Sequence, residues 1–587
     1  MTDFAARFAA FLDDFTASDP VSATSMGDHR HDGRWPDTSP AGNTASLALV
    51  ERWLAEFRSL DLGALSADDA IDRDLMIAEL EAQRFAHTEL QDDRWDPLTW
   101  VYVLGEGLFP LIAREFAPLA ERLTSVASRL ETMPAFLAGA AERIGATDDG
   151  RPVGRLQTET AIAQLPGIGE LIADALAEAE RAAPKDPEVA ALQPRLRAAA
   201  DTAQAALTDF ERHLRDVVLP VSDGEGRLGR DLFARKLRHT MRSDALTPER
   251  IIDEAERQYA AVRAEMIRLA DASWDRWRPG ESRPDDPETL VRAVLDAIAV
   301  EHPAADDLLD FCRAENERIE SFCRERDLIG LSDQPLDIRW TPVFLRAFGG
   351  AMLISPGPLD KGLTSFFAIT PMPDDWSDER RESYLREDND RMLRLLTIHE
   401  AVPGHYLQGV YANRSSSLAR SVFWSGLFAE GWAVYVTQVM MDAGYGADDP
   451  ALMLTHWKFY LRSITNAIID AKIHTEDMSE ERAIQLMVQG GFQEEAEARA
   501  KYTRARLSST QLSTYFAGSM EMWDLELEAR RRAAAREGAD PVQAVVAPRE
   551  LPGGFGDTPG FRYREHLESV ISHGSPPTSL LRRILNG

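Results

Sequence analysis

The chain has 587 residues, of which 65 are basic and 97 are acidic, so its formal net charge is −32. Because nucleic-acid binding depends on basic patches that neutralise phosphates, this charge excludes bulk binding of nucleic acid. The charge also repels an anionic membrane surface, so we expect no membrane partner. With 44% hydrophobic and 28% charged residues, the composition is typical of a globular protein.

The cysteines and the N-terminus favour an intracellular location. If Cys312 and Cys323 lie on one helix, they are about 16 Å apart, which is too far for a disulfide. The absence of a disulfide framework fits a reducing compartment. The first residues lack the basic and continuous apolar regions of a secretion signal, and no run of about 18 apolar residues follows. We therefore expect a soluble cytoplasmic protein.

The first half of the chain has helical periodicity. Apolar residues recur at three- and four-residue spacing among charged ones in segments 46–61, 66–90, 109–144, 187–214 and 247–274. Thr247 is the expected N-cap of the last segment, with Pro248 at its first helical position. Clusters of Pro and Gly predict loops at 165–169, 219–228 and 278–287.

Short β-branched and aromatic runs interrupt this pattern between residues 334 and 372. DIRWTPVFLRAF, AMLISPG and SFFAITP predict two or three strands, and the run 366–371 is expected either at an exposed sheet edge or in the sheet interior. Helices are predicted again from residue 387 onwards. The expected fold is mainly α with one small sheet. Residues 1–330 form an N-terminal helical region, and residues 331–587 hold the sheet and a catalytic helical region of the same continuous fold.

The segment RLLTIHEAVPGHYLQ, residues 394–408, carries the strongest chemical signal. A His-Glu pair followed by a second His is typical of a zinc hydrolase helix, in which two imidazoles bind the metal and the Glu takes a proton from water. The two histidines are usually four residues apart and share a helix face. His399 and His405 are six apart, which places the second ring about 120° from the first on a regular helix.

Pro403 and Gly404 make this wide spacing workable. Proline lacks an N–H and its ring clashes with the carbonyl four residues back, which is that of His399. Glycine adopts backbone conformations closed to other residues. We therefore predict a bulged or broken turn across residues 401–404 that brings His405 back beside His399.

A third ligand is expected downstream, because catalytic zinc sites take three protein ligands and keep one position for water. Glu430 is a lone acid in the apolar segment WSGLFAEGWAVYVTQ, residues 424–438, where a buried carboxylate is costly unless it is paired or bound to metal. We predict that His399, His405 and Glu430 bind Zn²⁺ and that Glu400 is the general base. The alternative is a buried polar network that ties two helices together without a metal.

These residues resemble a known family. HEAVPGHYLQ at 399–408 and AEGWAVY at 429–435 are similar to motifs of the bacterial family called domain of unknown function 885. The similarity extends over nearly the whole chain through segments 19–37, 356–371 and 468–483. The family in turn resembles the α-helical zinc peptidases related to thimet oligopeptidase and angiotensin-converting enzyme. This resemblance implies a long, deep substrate channel between helical walls, with the active-site helix at its floor.

The resemblance also implies groups that stabilise the oxyanion. In the related peptidases a tyrosine donates its hydroxyl to the oxyanion, and Tyr515 is the candidate, although a helical Tyr is equally a core residue. Here Ser509 and Thr510 stand where related sequences tend to have Pro-Gly. His474, four residues after Asp470, is a second candidate donor, with a structural histidine as the alternative.

Three functional hypotheses remain open. The first is a zinc peptidase that cleaves short peptides, the second a zinc hydrolase of a non-peptide amide or amino-acid conjugate, and the third a non-catalytic helical binding protein. The expected partner is a short peptide or another small amide, and the chain is a candidate homodimer. Arg504 and Arg506 are interpreted either as a clamp for a substrate carboxylate or as solvated helix residues. His29 and His31 are interpreted as structural.

Overall fold

The computed structural model describes residues 3–341, 350–373, 376–545 and 551–586. The described chain forms two compact units. The first contains residues 3–227 and 356–364, and the second contains residues 228–341, 350–355 and 365–586.

The first unit is built from helices, which are α1 (Asp3–Ser18), α2 (Pro20–Met26), α3 (Pro40–Arg58), α4 (Ala67–Phe85), α5 (Asp92–Trp95), α6 (Leu98–Ala113), α7 (Leu119–Arg143), α8 (Arg155–Ala182) and α9 (Pro187–His213). The predicted helix 109–144 is in fact two helices, because the chain is non-helical between α6 and α7. The predicted loop at 165–169 is wrong, since Pro166 lies inside α8. Leu165, Ile168 and Leu171 are buried around it, and this packing outweighs the one backbone hydrogen bond that proline cannot make.

His29 ties a distant segment to the start of the first unit. Its Nδ1 lies 2.9 Å from Asp32 and its Nε2 lies 3.0 Å from Asp360, while the ring stacks on Phe116 at 3.5 Å between centroids. Burial alone would lower the pKa of His29, but the hydrogen bonds and charges of the two carboxylates outweigh it and raise the pKa to about 9. The imidazolium therefore joins segment 356–364 to the N-terminal helices, as a structural residue.

We expect His29→Gln to lower the free energy of unfolding by about 1–3 kcal/mol at pH 6 and by much less at pH 9.5. The folded-state pKa of about 9 lies above the usual 6.5, so the stabilisation is complete below pH 6.5 and is lost as pH rises through about 9. Urea unfolding at both pH values measures this, with His31→Gln as the neighbouring control. An equal loss at both pH values would contradict the imidazolium clamp.

The second unit begins with α10 (Arg230–Met241), α11 (Pro248–Trp277), α12 (Pro287–Ile298) and α13 (Leu308–Glu325). Thr247 caps α11 as predicted, because its hydroxyl accepts a hydrogen bond from the Arg250 N–H at 3.3 Å and Pro248 opens the helix. The remaining helices are α14 (Asp378–Glu387), α15 (Asp390–Glu400), α16 (His405–Ala412), α17 (Leu418–Val422), α18 (Gly426–Asp442), α19 (Pro450–Thr475), α20 (Glu480–Gln485), α21 (Glu495–Ser508), α22 (Ser513–Arg536), α23 (Pro541–Ala544), α24 (Tyr563–Ile571) and α25 (Thr578–Asn586).

The sheet of the second unit has three strands, β1 (Leu336–Trp340), β2 (Ala351–Ile354) and β3 (Ser365–Ile369), in the order β1-β3-β2. β3 pairs parallel with β1 and antiparallel with β2. The run 366–371 is therefore interior and does not form a sheet edge. Of the predicted strand over 337–348, residues 342–348 lie outside the described part of the chain.

The sheet packs directly against the helix that carries the His-Glu pair. Phe367 and Ile369 of β3 form one buried cluster with Cys312 of α13 and with Leu393 and Ala401, at the two ends of α15. Burial of these side chains fixes the end of α15 relative to β2 and β3. The prediction of a mainly α fold with one small sheet is confirmed.

Two glycines set the distance between α18 and α22. A Cβ on Gly431 would lie 2.3 Å from the Gly518 carbonyl carbon, and a Cβ on Gly518 would lie 2.1 Å from the Leu427 oxygen. Only residues without a side chain allow the two backbones to approach so closely. Although α18 is almost entirely buried and apolar, no helix in the described ranges is both long and apolar enough to cross a membrane.

We expect Gly431→Ala to lower the free energy of unfolding by about 1–3 kcal/mol, because the added methyl group must push the α22 backbone away. Gly426→Ala is the matched control, since it places the same methyl group in open space at the start of the same helix. Equilibrium denaturation followed by circular dichroism compares the two. Equal stability of both variants would show that α18 and α22 can move apart at Gly431 without lowering the free energy of unfolding.

Candidate metal centre

The His-Glu pair lies in the last turn of α15. Asn389 caps the start of this helix by accepting hydrogen bonds from two backbone N–H groups, and the helix ends at Glu400. His399 and Glu400 are both buried, with 6% and 7% of their surface exposed. The packing of α15 against the sheet therefore holds both side chains in the interior.

The chain leaves the helix between α15 and α16. Ala401 and Gly404 have non-helical backbone angles, the Val402–Pro403 peptide bond is cis, and the Gly404 N–H donates to the Ile398 carbonyl at 3.1 Å. A Cβ on Gly404 would lie 1.9 Å from the His399 carbonyl oxygen, so only glycine fits. The break falls across residues 401–404 as the sequence predicts, and a new helix starts at His405.

Trp432 connects this turn to α18. Its indole N–H donates to the Pro403 carbonyl at 2.9 Å, and its side chain is fully buried. Glu430 lies two residues earlier on the same helix. The turn that positions His405 and the helix that carries Glu430 are therefore held in register by one buried hydrogen bond.

The structure brings His399, His405 and Glu430 together. One ligand atom from each lies within 4.8 Å of the others. The Glu430 Oε2 is 3.5 Å from the His405 Nε2 and 3.8 Å from the His399 Nε2. Two ligands of a tetrahedral zinc ion are about 3.3 Å apart, so the two Glu430 distances exceed that spacing by only a few tenths of an ångström.

The charges of the trio are strongly coupled. Burial, together with the nearby His405, lowers the pKa of His399 to about 3, which leaves its ring neutral as a metal ligand requires. Burial alone would lower the pKa of His405, but the adjacent Glu430 outweighs it and raises the pKa to about 9, so a bound metal ion would displace the second proton of this ring. Burial alone would raise the pKa of Glu430, yet its interactions with both imidazoles hold it below the usual value.

One oxygen of this trio fits a cation better than a protein donor. The buried Oε2 of Glu430 accepts no well-formed hydrogen bond from the described residues, since its nearest donors, the two imidazole nitrogens, lie at 3.5 and 3.8 Å. A buried carboxylate oxygen without a donor is costly, and a metal ion coordinated by the trio would remove that cost. The donor set, two imidazole nitrogens and one carboxylate oxygen, is also that of catalytic zinc sites.

Glu400 differs from Glu430 in its surroundings. Burial, which exceeds the opposing effect of His405, raises the pKa of Glu400 to about 7. The backbone N–H of Leu353 on β2 hydrogen-bonds to this carboxyl group. The carboxyl is thus oriented by the sheet and poised to gain or lose a proton near neutral pH.

Tyr515 lies in the first turn of α22, and burial followed by the charge of Glu430 raises the pKa of its hydroxyl to about 12. A sharp turn precedes that helix. Thr510 has φ of +70°, in the left-handed region that favours glycine. Asp470 holds this turn, because its carboxylate accepts hydrogen bonds from the Thr510 N–H at 3.0 Å and from the Ser513 N–H and hydroxyl at 2.9 and 2.7 Å. The turn that positions Tyr515 therefore forms without the Pro-Gly pair.

His474 is not part of this arrangement. Its Nδ1 accepts a hydrogen bond from the Leu228 N–H at 3.1 Å, and its Nε2 donates to the Ala505 carbonyl at 3.0 Å. The ring also stacks on Phe233. Because both ring nitrogens are bonded to the main chain, His474 has no N–H to offer an oxyanion, and the structural interpretation holds.

Two contacts of the centre were not found from the sequence. Nothing local to Leu353 predicts its hydrogen bond to Glu400, because the residues are far apart in the chain. The Trp432 hydrogen bond had one signal in the sequence. A buried Trp needs an acceptor for its N–H, and a turn that breaks a helix leaves carbonyl groups without partners in the helix.

Comparison with known proteins identifies relatives of this chain. A family model described as "Bacterial protein of unknown function (DUF885)" matches residues 20–585. A solved structure from Shewanella oneidensis, described as "a putative lipoprotein of unknown function", is 30% identical, covers 100% of both chains and has a TM-score of 0.81. No curated protein matches the chain.

Two further structures are less similar in sequence. One is described as "the putative lipoprotein from Colwellia psychrerythraea"; it is 15% identical, covers 99% of this chain and 98% of its own, and has a TM-score of 0.77, which shows the fold alone. A "putative oligoendopeptidase F" from Bacillus anthracis is 11% identical and covers 93% of this chain and 95% of its own. Its TM-score is 0.23.

The expectation of a cytoplasmic protein is wrong, because the Shewanella relative, which is 30% identical over its whole length, is described as "a putative lipoprotein". The prediction failed because it relied on the absence of a disulfide. Cys312 and Cys323 are both unpaired and buried in α13. Two shielded thiols that cannot reach each other stay unpaired in any compartment, so they say nothing about location.

Two results agree on the family. The family model spans almost the entire chain, and the Shewanella relative aligns with all of it at 30% identity. The chain therefore belongs to the DUF885 family of bacterial proteins.

Proposed function

We propose that this protein is a zinc-dependent hydrolase, and specifically a metallopeptidase that cleaves short peptides. The observation that carries the proposal is the convergence of ligand atoms from His399, His405 and Glu430 within 4.8 Å, beside the buried carboxyl of Glu400. Three protein ligands leave one position for water, as in catalytic zinc sites. The Glu430 oxygen that accepts no well-formed hydrogen bond favours a bound cation over a polar network without metal.

Zinc held by these residues supplies Lewis-acid polarisation of the scissile carbonyl and lowers the pKa of water towards about 7. Glu400 accepts a proton from the attacking water, because its pKa of about 7 suits proton exchange at neutral pH. The water oxygen bonds to the carbonyl carbon, the carbon–nitrogen bond breaks, and Glu400 passes the proton to the leaving amine. The products are one carboxylic acid and one amine.

Tyr515 supplies a hydrogen-bond donor for the negative charge that develops on the carbonyl oxygen. Its pKa of about 12 keeps the hydroxyl protonated at neutral pH, so it is able to donate. One such donor typically contributes about 10²–10³-fold to the rate. The relatives described as lipoproteins support a place of action outside the cytoplasm.

We expect Glu400→Gln to keep its zinc and to lose hydrolysis by about 10²–10⁴-fold, because the amide cannot accept the proton of water. Tripeptide libraries, with product amines measured, read out the activity, and elemental analysis reads out the metal. Glu379→Gln on α14, an exposed position, is the control and should retain activity. Full activity in Glu400→Gln, or no activity towards any peptide in the wild type, contradicts the peptidase; hydrolysis of other amides alone would favour the second hypothesis.

We expect about one zinc per wild-type chain and a zinc dissociation constant raised more than about 100-fold in Glu430→Gln, since loss of a direct ligand exceeds the loss of an outer-shell partner. Competition with a fluorescent chelator measures the constant, and Glu379→Gln again serves as the control. Zinc should also raise the melting temperature of the wild type, because it binds only the folded chain. Unchanged affinity in Glu430→Gln would remove Glu430 from the ligand set.

A further inference from the structure

Arg504 lies beside Tyr515, the residue that we propose as the hydrogen-bond donor to the oxyanion. It lies on α21, and its Nη2 is 3.5 Å from the Tyr515 hydroxyl and 3.0 Å from the Gln511 Oε1. The charges of Arg504 and Glu430 both act on the Tyr515 hydroxyl, lowering and raising its pKa respectively, so the three groups lie near one another. An exposed helix arginine therefore reaches towards the reacting atoms.

The guanidinium of Arg504 retains unused hydrogen-bonding capacity. Among the described residues it forms no ion pair, and its Nε and Nη1 make no hydrogen bond. Arg499, on the same helix, is paired with Glu480 and Glu495 at 2.8 and 2.7 Å.

The free donors of Arg504 match one chemical group in particular. A guanidinium donates charge-assisted hydrogen bonds to carboxylates, and the Nε and Nη1 of Arg504 remain available to make them. The Nη2 lies 3.5 Å from the hydroxyl that faces the scissile carbonyl, and successive Cα atoms of a peptide are about 3.8 Å apart. A carboxylate held by Arg504 thus belongs to the residue next to the scissile bond.

We propose that Arg504 binds the C-terminal carboxylate of the substrate, so that the centre selects short peptides and removes their last residue. This inference rests on the proposed peptidase function and names its substrate class. The competing explanation is that Arg504 only lowers the pKa of the Tyr515 hydroxyl. In that case the protein would cleave a peptide acid and the corresponding amide equally well.

The test compares two tripeptide libraries that are identical except that one has free C-terminal carboxylates and the other C-terminal amides. We expect the wild type to prefer the acids by about 10- to 100-fold in kcat/KM, as for a hydrogen-bonded charge pair. The ratio should fall to near one in Arg504→Gln. The matched control is Arg499→Gln on the same helix, whose guanidinium is already paired with Glu480 and Glu495 and which should keep the ratio.

Three outcomes overturn the proposal: no acid preference in the wild type, equal losses for acids and amides in Arg504→Gln, or loss of the ratio in Arg499→Gln. Circular dichroism checks that each variant is folded. Equilibrium dialysis of both libraries provides a readout independent of hydrolysis. If the protein binds peptide acids through Arg504 but binds no zinc and cleaves nothing, the carboxylate site stands and the peptidase function is rejected. If the protein cleaves peptides without preferring acids, the peptidase function stands and the carboxylate site is rejected.

Discussion

The backbone contact between Gly404 and the carbonyl of His399 is the constraint on which the centre depends. Two histidines six residues apart face different directions on one helix. The contact becomes possible only because residue 404 lacks a Cβ, and it lets one helix end and another begin within four residues. The indole of Trp432 then fixes this turn to α18 and so to Glu430. The three candidate ligands, which lie on three helices, meet because one turn is held in place.

Burial gives the two glutamates of the centre different properties. Glu400 lies in the interior with a backbone donor, and burial raises its pKa to about 7. Glu430 lies between two imidazoles, and these outweigh burial and lower its pKa. Neighbouring carboxyls whose pKa values are driven apart are suited to separate tasks, one as a proton carrier and one as a charged ligand. The environment of each side chain thus supports the role we propose for it.

The sequence predicted those features that are encoded locally. The convergence of His399, His405 and Glu430, the break at 401–404 and the two or three expected strands follow from spacing, from Pro-Gly and from β-branched runs. Contacts between distant segments have no local signal, which is why the Leu353 bond to Glu400 and the Gly431–Gly518 contact were not foreseen. Tertiary packing also overrode a local rule at Pro166, which lies inside α8. His474 fits a donor by residue type, but main-chain groups occupy both its nitrogens.

The central claim is that His399, His405 and Glu430 bind one zinc ion. Anomalous X-ray scattering from crystals of the zinc-loaded protein, measured on both sides of the zinc absorption edge, tests it most directly. We expect one strong peak in contact with the Nε2 atoms of both histidines and with the Glu430 carboxylate, at distances of about 2.0–2.2 Å. A crystal with bound zinc elsewhere, or with no peak between these three residues, would contradict the claim.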